Sequence, residues 1–339
     1  LFRSRDAGKT WALVNSDRAL RQRAWYFSGV AADPKDPETL WVQNVRLHRS
    51  KDVALWQQGD IRLVVNTDKD GFAHSYQIGH GSSVCAIALK VPDAKATIAR
   101  ARAMLDTPHV GAIGPGEIDI PAVRGLGGSL LYFVDNESAL GRWSEVDFTP
   151  TGAAPAGAGL LGIDHISQSM QYEEMLTWLL FYTTLQAVMD PGGVVQSQVI
   201  ESGLSRNGAA GEGGLRLVLN GSQSHRTLSA RFVTDFFGSG VQHIAMSTTD
   251  IRATMRQLRT NGVSILPIPE NYYDDLETRI DLTHQDIDEL KSLNILYDRD
   301  TDGAFYQAYT TTLDGGFFFE IVQRNGYTGY GAANAGIRL

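Results

Sequence analysis

One stretch of this chain is written twice. Val84-Cys-Ala-Ile-Ala-Leu-Lys-Val-Pro-Asp93 lies without gaps over Val241-Gln-His-Ile-Ala-Met-Ser-Thr-Thr-Asp250, and Ala96-Thr97 lies over Ala253-Thr254. Each copy reads as an apolar run of strand length, an Asp at a helix N-cap, and an amphipathic helix. A third copy begins at Gly162, with a strand over 162–169 and a helix around Tyr172–Leu185. β-branched and aromatic runs follow the helices, at 194–200 and 214–220 after the third copy and at 304–311 and 316–323 after the last. The repeat therefore restricts the chain to α+β architecture, with βαβββ modules that bury their sheet faces by pairing into two open barrels.

At 339 residues the chain has length for about two domains. The Gly/Ala/Pro-rich Thr149–Gly159 reads as the linker, which gives an N-terminal module domain over 47–150 and a C-terminal one over 151–339. The acidic stretch from Glu270 to Asp302 reads as a turn-rich insertion near the barrel mouth, with a helix over Thr283–Leu293. The first 46 residues do not follow the module pattern. Ser4-Arg-Asp6-Ala-Gly8-Lys-Thr10-Trp11 resembles the Asp-box of sialidase-like propeller blades, and Asp33-Pro-Lys-Asp-Pro-Glu-Thr-Leu-Trp-Val42 resembles the strand that follows. Residues 1–46 are thus expected to be a foreign β-hairpin-like piece, joined near 44–52 in a chimera, and the first module to lack its opening strand and helix. With Leu1 in place of a methionine, the sequence reads as a fragment.

The copies differ where chemistry would sit. Ala86 takes the place of His243, and the Gly127-Gly128 and Gly315-Gly316 turns put Tyr132 in the place of Glu320. Glu320 is an acid inside Phe317-Phe-Phe-Glu-Ile-Val-Gln323, and a buried carboxylate requires a cation or strong donors. His165, in Gly162-Ile-Asp-His-Ile166, and His243 occupy similar apolar strands at matching module positions. Two imidazoles and a carboxylate are the donor set of the facial triad that holds non-haem Fe(II) with positions left open.

Other classes fit poorly. A net charge of −8 argues against a nucleic-acid partner, and no apolar run approaches the roughly 20 residues that span a bilayer. The single cysteine, Cys85, allows no intrachain disulfide and suits a cytoplasmic, reducing compartment; it reads as a core residue. Gly8-Lys-Thr lacks the P-loop glycine, since Arg3 stands there. Gly125-Leu-Gly-Gly opens a strand instead of a helix, and Gly208–Gly214 reads as a hairpin loop. His48, His74, His80, His109 and His284 carry no motif.

From Val45 onward the chain resembles the 4-hydroxyphenylpyruvate dioxygenase family of the vicinal-oxygen-chelate superfamily. The likeness rests on His48-Arg-Ser-Lys-Asp-Val-Ala-Leu-Trp56, Gln58-Gly-Asp-Ile-Arg-Leu-Val-Val-Asn66, Gly81-Ser-Ser-Val-Cys-Ala86, Gly162-Ile-Asp-His165, Gly238-Ser-Gly-Val-Gln-His-Ile-Ala245 and Phe317-Phe-Phe-Glu-Ile-Val-Gln-Arg324. It implies Fe(II) on His165, His243 and Glu320, and an aromatic 2-oxo acid and O2 as small-molecule partners. It also implies a pocket containing Ser197, Asn220, Gln242, Gln307 and Phe318, with Tyr309 where the family has phenylalanine. Gln242 directly precedes a ligand, so a regular pleat would point it away from the site.

Two positions depart from that pattern. Leu228 replaces a pocket glutamine, and Ala335 replaces the phenylalanine of the C-terminal gating helix, most of which is expected to be missing beyond Leu339. Tyr172–Tyr182, Asp190-Pro-Gly-Gly193, Ser224-His-Arg-Thr-Leu228 and Tyr330-Gly-Ala-Ala-Asn334 resemble the dioxygenase-like C-terminal half of bacterial two-domain 3-dehydroshikimate dehydratases, whose dehydratase chemistry belongs to an N-terminal barrel. His225 is a candidate pocket or capping residue. Three readings stay open: an iron-dependent dioxygenase, a dehydratase fusion half with its metal site kept, and a non-catalytic interaction module, each compatible with a homo-oligomer.

Overall fold

Asp93 and Asp250 act alike in space. Asp93 Oδ1 accepts the Ala96 N–H at 2.8 Å and Asp250 Oδ1 accepts the Ala253 N–H at 2.9 Å, each opening a helix just after a strand. The computed structural model describes residues 53–69, 71–104, 108–111, 117–136, 138–148, 156–184, 188–191, 196–201, 214–222, 227–331, 333–334 and 337, together with four short strands before residue 44.

In chain order the elements begin with β1 (Phe2–Arg3), β2 (Ala12–Leu13), β3 (Gly29–Ala32), β4 (Leu40–Gln43), β5 (Val53–Gln58), β6 (Ile61–Asn66) and α1 (Gly71–His80). The N-terminal module follows as β7 (Ala86–Lys90), α2 (Ala94–Ala103), β8 (Pro108–His109), β9 (Ala122–Arg124), β10 (Leu130–Val134) and α3 (Trp143–Asp147). The C-terminal half contains β11 (Leu160–Gln171), α4 (Met175–Thr184), β12 (Val188–Pro191), β13 (Gln196–Glu201), β14 (Arg216–Ser222), α5 (Leu228–Asp235) and β15 (Gly240–Thr248). It ends with α6 (Ile251–Thr260), α7 (Glu270–Arg279), α8 (His284–Leu293), β16 (Leu296–Arg299), β17 (Ala304–Tyr309) and β18 (Phe318–Asn325).

β11 through β18 form one curled eight-stranded sheet in the order β12-β13-β14-β11-β15-β18-β17-β16. It consists of two βαβββ modules, each with its first and last strands parallel, joined by the antiparallel pair β11–β15. The N-terminal half supplies one four-stranded module, β7-β10-β9-β8, while β5 and β6 pair with each other. Ladder register supports the sequence alignment independently: Ala86 pairs with Leu130 and Tyr132 with Ala88, just as His243 pairs with Phe318 and Glu320 with Ala245. Tyr132 therefore stands where Glu320 stands, and Ala86 where His243 stands.

The halves share a core in which Leu126, Leu131 and Phe133 pack with Ile166, Leu217 and Leu219. Gly127 lies at φ +60°, and a Cβ there would come within 1.8 Å of the Ser239 carbonyl oxygen, so only glycine permits this approach. Nearby, His80 Nδ1 lies 2.6 Å from the Phe236 carbonyl oxygen, and the two rings stack.

The expectation for Glu270–Asp302 needs correction. Besides the expected helix, capped by Thr283, it contains α7 and the sheet strand β16. Tyr272, Tyr273 and Leu276 give α7 a buried stripe beneath its acidic surface, and α8 packs on α6. β1–β2 and β3–β4 are antiparallel pairs, but the Asp-box residues Ser4–Trp11, the 44–52 junction and most of the linker lie outside the described residues.

Candidate metal centre

The pairing of β11 with β15 steps over single residues at three places, leaving Leu161 and Asp164 extra on β11 and Gln242 extra on β15. Such bulges bend a strand and re-aim its side chains. Asp164 thereby meets its own neighbour, with Oδ1 2.8 Å from His165 Nδ1. Gln242 is itself an extra, buried residue of such a bulge, so regular pleat alternation does not decide which side its amide takes.

His165 on β11, His243 on β15 and Glu320 on β18 converge. His165 Nε2 and His243 Nε2 are 3.3 Å apart, and Glu320 Oε2 lies 3.3 Å from the first and 3.2 Å from the second. In its neutral form with the Nδ1 proton directed to Asp164, His165 presents an Nε2 lone pair that faces two further donor atoms. Three such atoms bound at about 2.0–2.2 Å to one ion lie about 3.0–3.5 Å apart, so the triangle fits a single divalent metal. All three residues are buried or half-buried. Burial opposes charge on His165, but Asp164 and Glu320 push its imidazole up to about 9. Burial likewise opposes charge on Glu320, yet the two histidines hold its carboxyl well below the usual range.

The relation between the two modules leaves one side without a donor. His165 pairs with Ala245 and Ser167 with His243, so the local two-fold relation carries His165 onto His243 and Ser167 onto Ala245. Glu320 pairs with Ala245, and its counterpart, paired with Ser167, is Val218. A valine offers nothing to a metal, so the β14 position equivalent to Glu320 supplies no donor.

Gln307 braces the carboxylate from behind. Its Nε2 donates to Glu320 Oε1 at 2.8 Å and to the Tyr309 hydroxyl at 3.2 Å, while its Oε1 accepts from Asn334 Nδ2 at 2.9 Å. Tyr272 then holds Asn334 Oδ1 at 3.1 Å. Phe318 stacks on the His243 ring, with centroids 4.8 Å apart, and meets Tyr309 edge-on. Ser197 donates to Asn220 Oδ1 at 2.6 Å, and Asn220 Nδ2 donates to Ser167 Oγ at 2.8 Å, so a polar chain runs across β13, β14 and β11. Leu228 opens α5, which Ser229 ties to the Asn220 carbonyl. Burial raises the Cys85 thiol, which agrees with a core role. His225 and Ala335 lie outside the described residues.

Sequence reasoning missed Asp164, Ser167, Tyr272, Arg324 and Asn334. Asp164 and Arg324 stand inside the strings that contain the candidate donors, and a charged residue in an apolar strand was the available signal.

Two family models match. Residues 36–149 fit "Hydroxyphenylpyruvate dioxygenase, HPPD, N-terminal", a match that begins within the segment read as foreign, and residues 163–304 fit the "Glyoxalase/Bleomycin resistance protein/Dioxygenase superfamily". The chain is 42% identical over 314 residues to a 3-dehydroshikimate dehydratase of Pseudomonas aeruginosa, covering 88% of this chain and 48% of that protein. It is 35% identical to a 4-hydroxyphenylpyruvate dioxygenase of the same species, covering 85% of this chain and 82% of that one. A solved xylose isomerase-like TIM barrel/4-hydroxyphenylpyruvate dioxygenase fusion protein matches with a TM-score of 0.73 at 40% identity, over 86% of this chain and 46% of that one. The chain thus spans about half the length of the dehydratases it matches.

Proposed function

Because the chain belongs to the 4-hydroxyphenylpyruvate dioxygenase family and carries the vicinal-oxygen-chelate fold, we propose that it is a metal-dependent dioxygenase acting on an aromatic 2-oxo acid and O2, with Fe(II) held by His165, His243 and Glu320. The observation that carries this reading is the triangle of three facing donor atoms with edges of 3.2–3.3 Å. Bound there, Fe(II) would supply the redox chemistry by which the acid loses CO2 while one oxygen atom enters the new carboxylate and the other the ring.

The chain's own residues supply orientation. Asp164 holds the Nδ1 proton of His165, Gln307 occupies Glu320 Oε1 and leaves Oε2 for the metal, and Phe318 fixes the plane of the His243 ring. The side marked by Val218 is where the acid and O2 would enter. The polar chain Ser197–Asn220–Ser167, with Gln242 at its bulge, is suited to the substrate's oxygens. In this reading Gln307 and Phe318 orient ligands, and Tyr309 supports Gln307.

The 42% identity to a dehydratase across only 48% of its length favours a second reading. Here the chain corresponds to the dioxygenase-like half of a two-part protein, with the metal kept and another substrate, or none, at Leu228. Anaerobic loading with Fe(II), followed by oxygen uptake with 4-hydroxyphenylpyruvate, separates the two. The first reading expects uptake matched by CO2 and homogentisate, and none from His243→Ala. Stoichiometric iron without uptake would overturn it in favour of the second, and absence of stoichiometric metal would overturn both.

A further inference from the structure

Asp164 is shared between the metal centre and an arginine 160 residues away in sequence. Arg324 grips it with two prongs, Nε to Oδ2 at 2.8 Å and Nη2 to Oδ1 at 2.9 Å, and both side chains are 5% exposed. Arg216 adds a longer contact, Nη1 to Oδ2 at 3.5 Å. The third nitrogen of Arg324 points elsewhere: Nη1 donates to the carbonyl oxygens of Gly329 and Tyr327. The guanidinium also lies over the rings of Phe305 and Tyr330, 4.5 and 5.1 Å from their centroids. Tyr330 in turn meets the His165 ring edge-on at 5.4 Å and donates its hydroxyl to Glu201 at 2.9 Å.

One cation therefore has two tasks. It holds the carboxylate that orients a metal-ligating imidazole, and it holds the main chain of the segment after β18. Without Asp164 the buried guanidinium would lose its carboxylate, and without Arg324 Asp164 would keep only the longer Arg216 contact and His165, so loss of either partner weakens both tasks. Building on the metal-centre reading above, we propose that Asp164 and Arg324 are positioning residues for His165, and that through them metal binding and the seating of Tyr327–Tyr330 are coupled. The coupling is reciprocal by linkage: a seated segment tightens metal binding, and bound metal holds the segment down.

The test uses Co(II) as probe on the full chain under anaerobic conditions, read by its visible absorption, with amide exchange of residues 327–331 measured with and without Co(II). Wild type should bind one equivalent, and exchange of the segment should slow on binding. Arg324→Lys keeps the charge but loses the two-pronged grip; it should bind Co(II) about 10–100-fold more weakly, with an altered visible spectrum and faster exchange of the segment. Asp164→Asn should shift the same readouts in the same direction. If Asp164→Asn fails to fold by circular dichroism, Arg324→Lys and the wild-type exchange data decide the matter. Wild-type affinity and spectrum retained in Arg324→Lys would overturn the positioning role, and exchange unmoved by Co(II) would overturn the coupling, while the metal centre stands in both cases. Failure of wild type to bind Co(II) would instead remove the metal-centre reading and this one with it.

Discussion

Gly331 offers a sharp check on how the Glu320 carboxylate is held. It sits at φ +63°, and a Cβ built there would come within 2.2 Å of Gln307 Oε1. Gly331→Ala should thus do two things: impose left-handed strain of about 1–2 kcal/mol, and push Gln307 off its partners. Those partners are Glu320 Oε1, Asn334 and Tyr309. The bond to the carboxylate alone is worth about 1.5–3 kcal/mol and each neutral one about 1 kcal/mol. Because Gln307 can keep some of them by shifting, the substitution should cost about 2–5 kcal/mol in urea unfolding of the metal-free protein. The decisive comparison is a double-mutant cycle. In a Gln307→Ala background the obstructing side chain is gone, and Gly331→Ala should cost only the strain of about 1–2 kcal/mol. Equal costs in the two backgrounds would refute the argument that Gly331 acts through Gln307.

Two further outcomes follow from the same geometry. The His165 imidazole is raised from 6.5 to about 9 by its two carboxylates against the opposing effect of burial, so below that pH a metal must displace a proton. Affinity for Co(II) should then fall about tenfold per pH unit from about pH 9 downward, and isothermal titrations flat from pH 6 to 9 would contradict this. Phe318→Ala removes a 2%-exposed ring stacked on His243. It should destabilise the fold by about 3–5 kcal/mol and weaken Co(II) binding; a loss below about 1 kcal/mol by urea unfolding would show that the site collapses around the gap.

The repeat was legible because periodicity and capping are local: Asp93 and Asp250 announce their helices within four residues. The cluster of His165, His243 and Glu320 was legible because these residues break apolar runs, and because the first copy has Ala86 and Tyr132 in place of two of them. The bulges at Asp164 and Gln242 were not, since an extra residue on one strand depends on a partner strand far away in sequence. The α7 helix was masked by its acidic surface, although Tyr272, Tyr273 and Leu276 carried the helical spacing. The partners of the pocket residue Gln307 were not legible either, because sequence locates a residue without saying which neighbours occupy its donors and acceptors. Asn334 and Tyr272, which complete that set, come from separate elements.

The contact between Gly127 and the Ser239 carbonyl places the N-terminal half close to the strand that carries His243. A module with Ala86 and Tyr132 at the positions of His243 and Glu320 can still serve the site as an anvil serves a hammer, by backing the start of β15. Substitutions at Ala86 and Tyr132 would leave that backing in place, whereas a side chain at Gly127 would press on the Ser239 carbonyl and reach the site through the backbone that leads into β15.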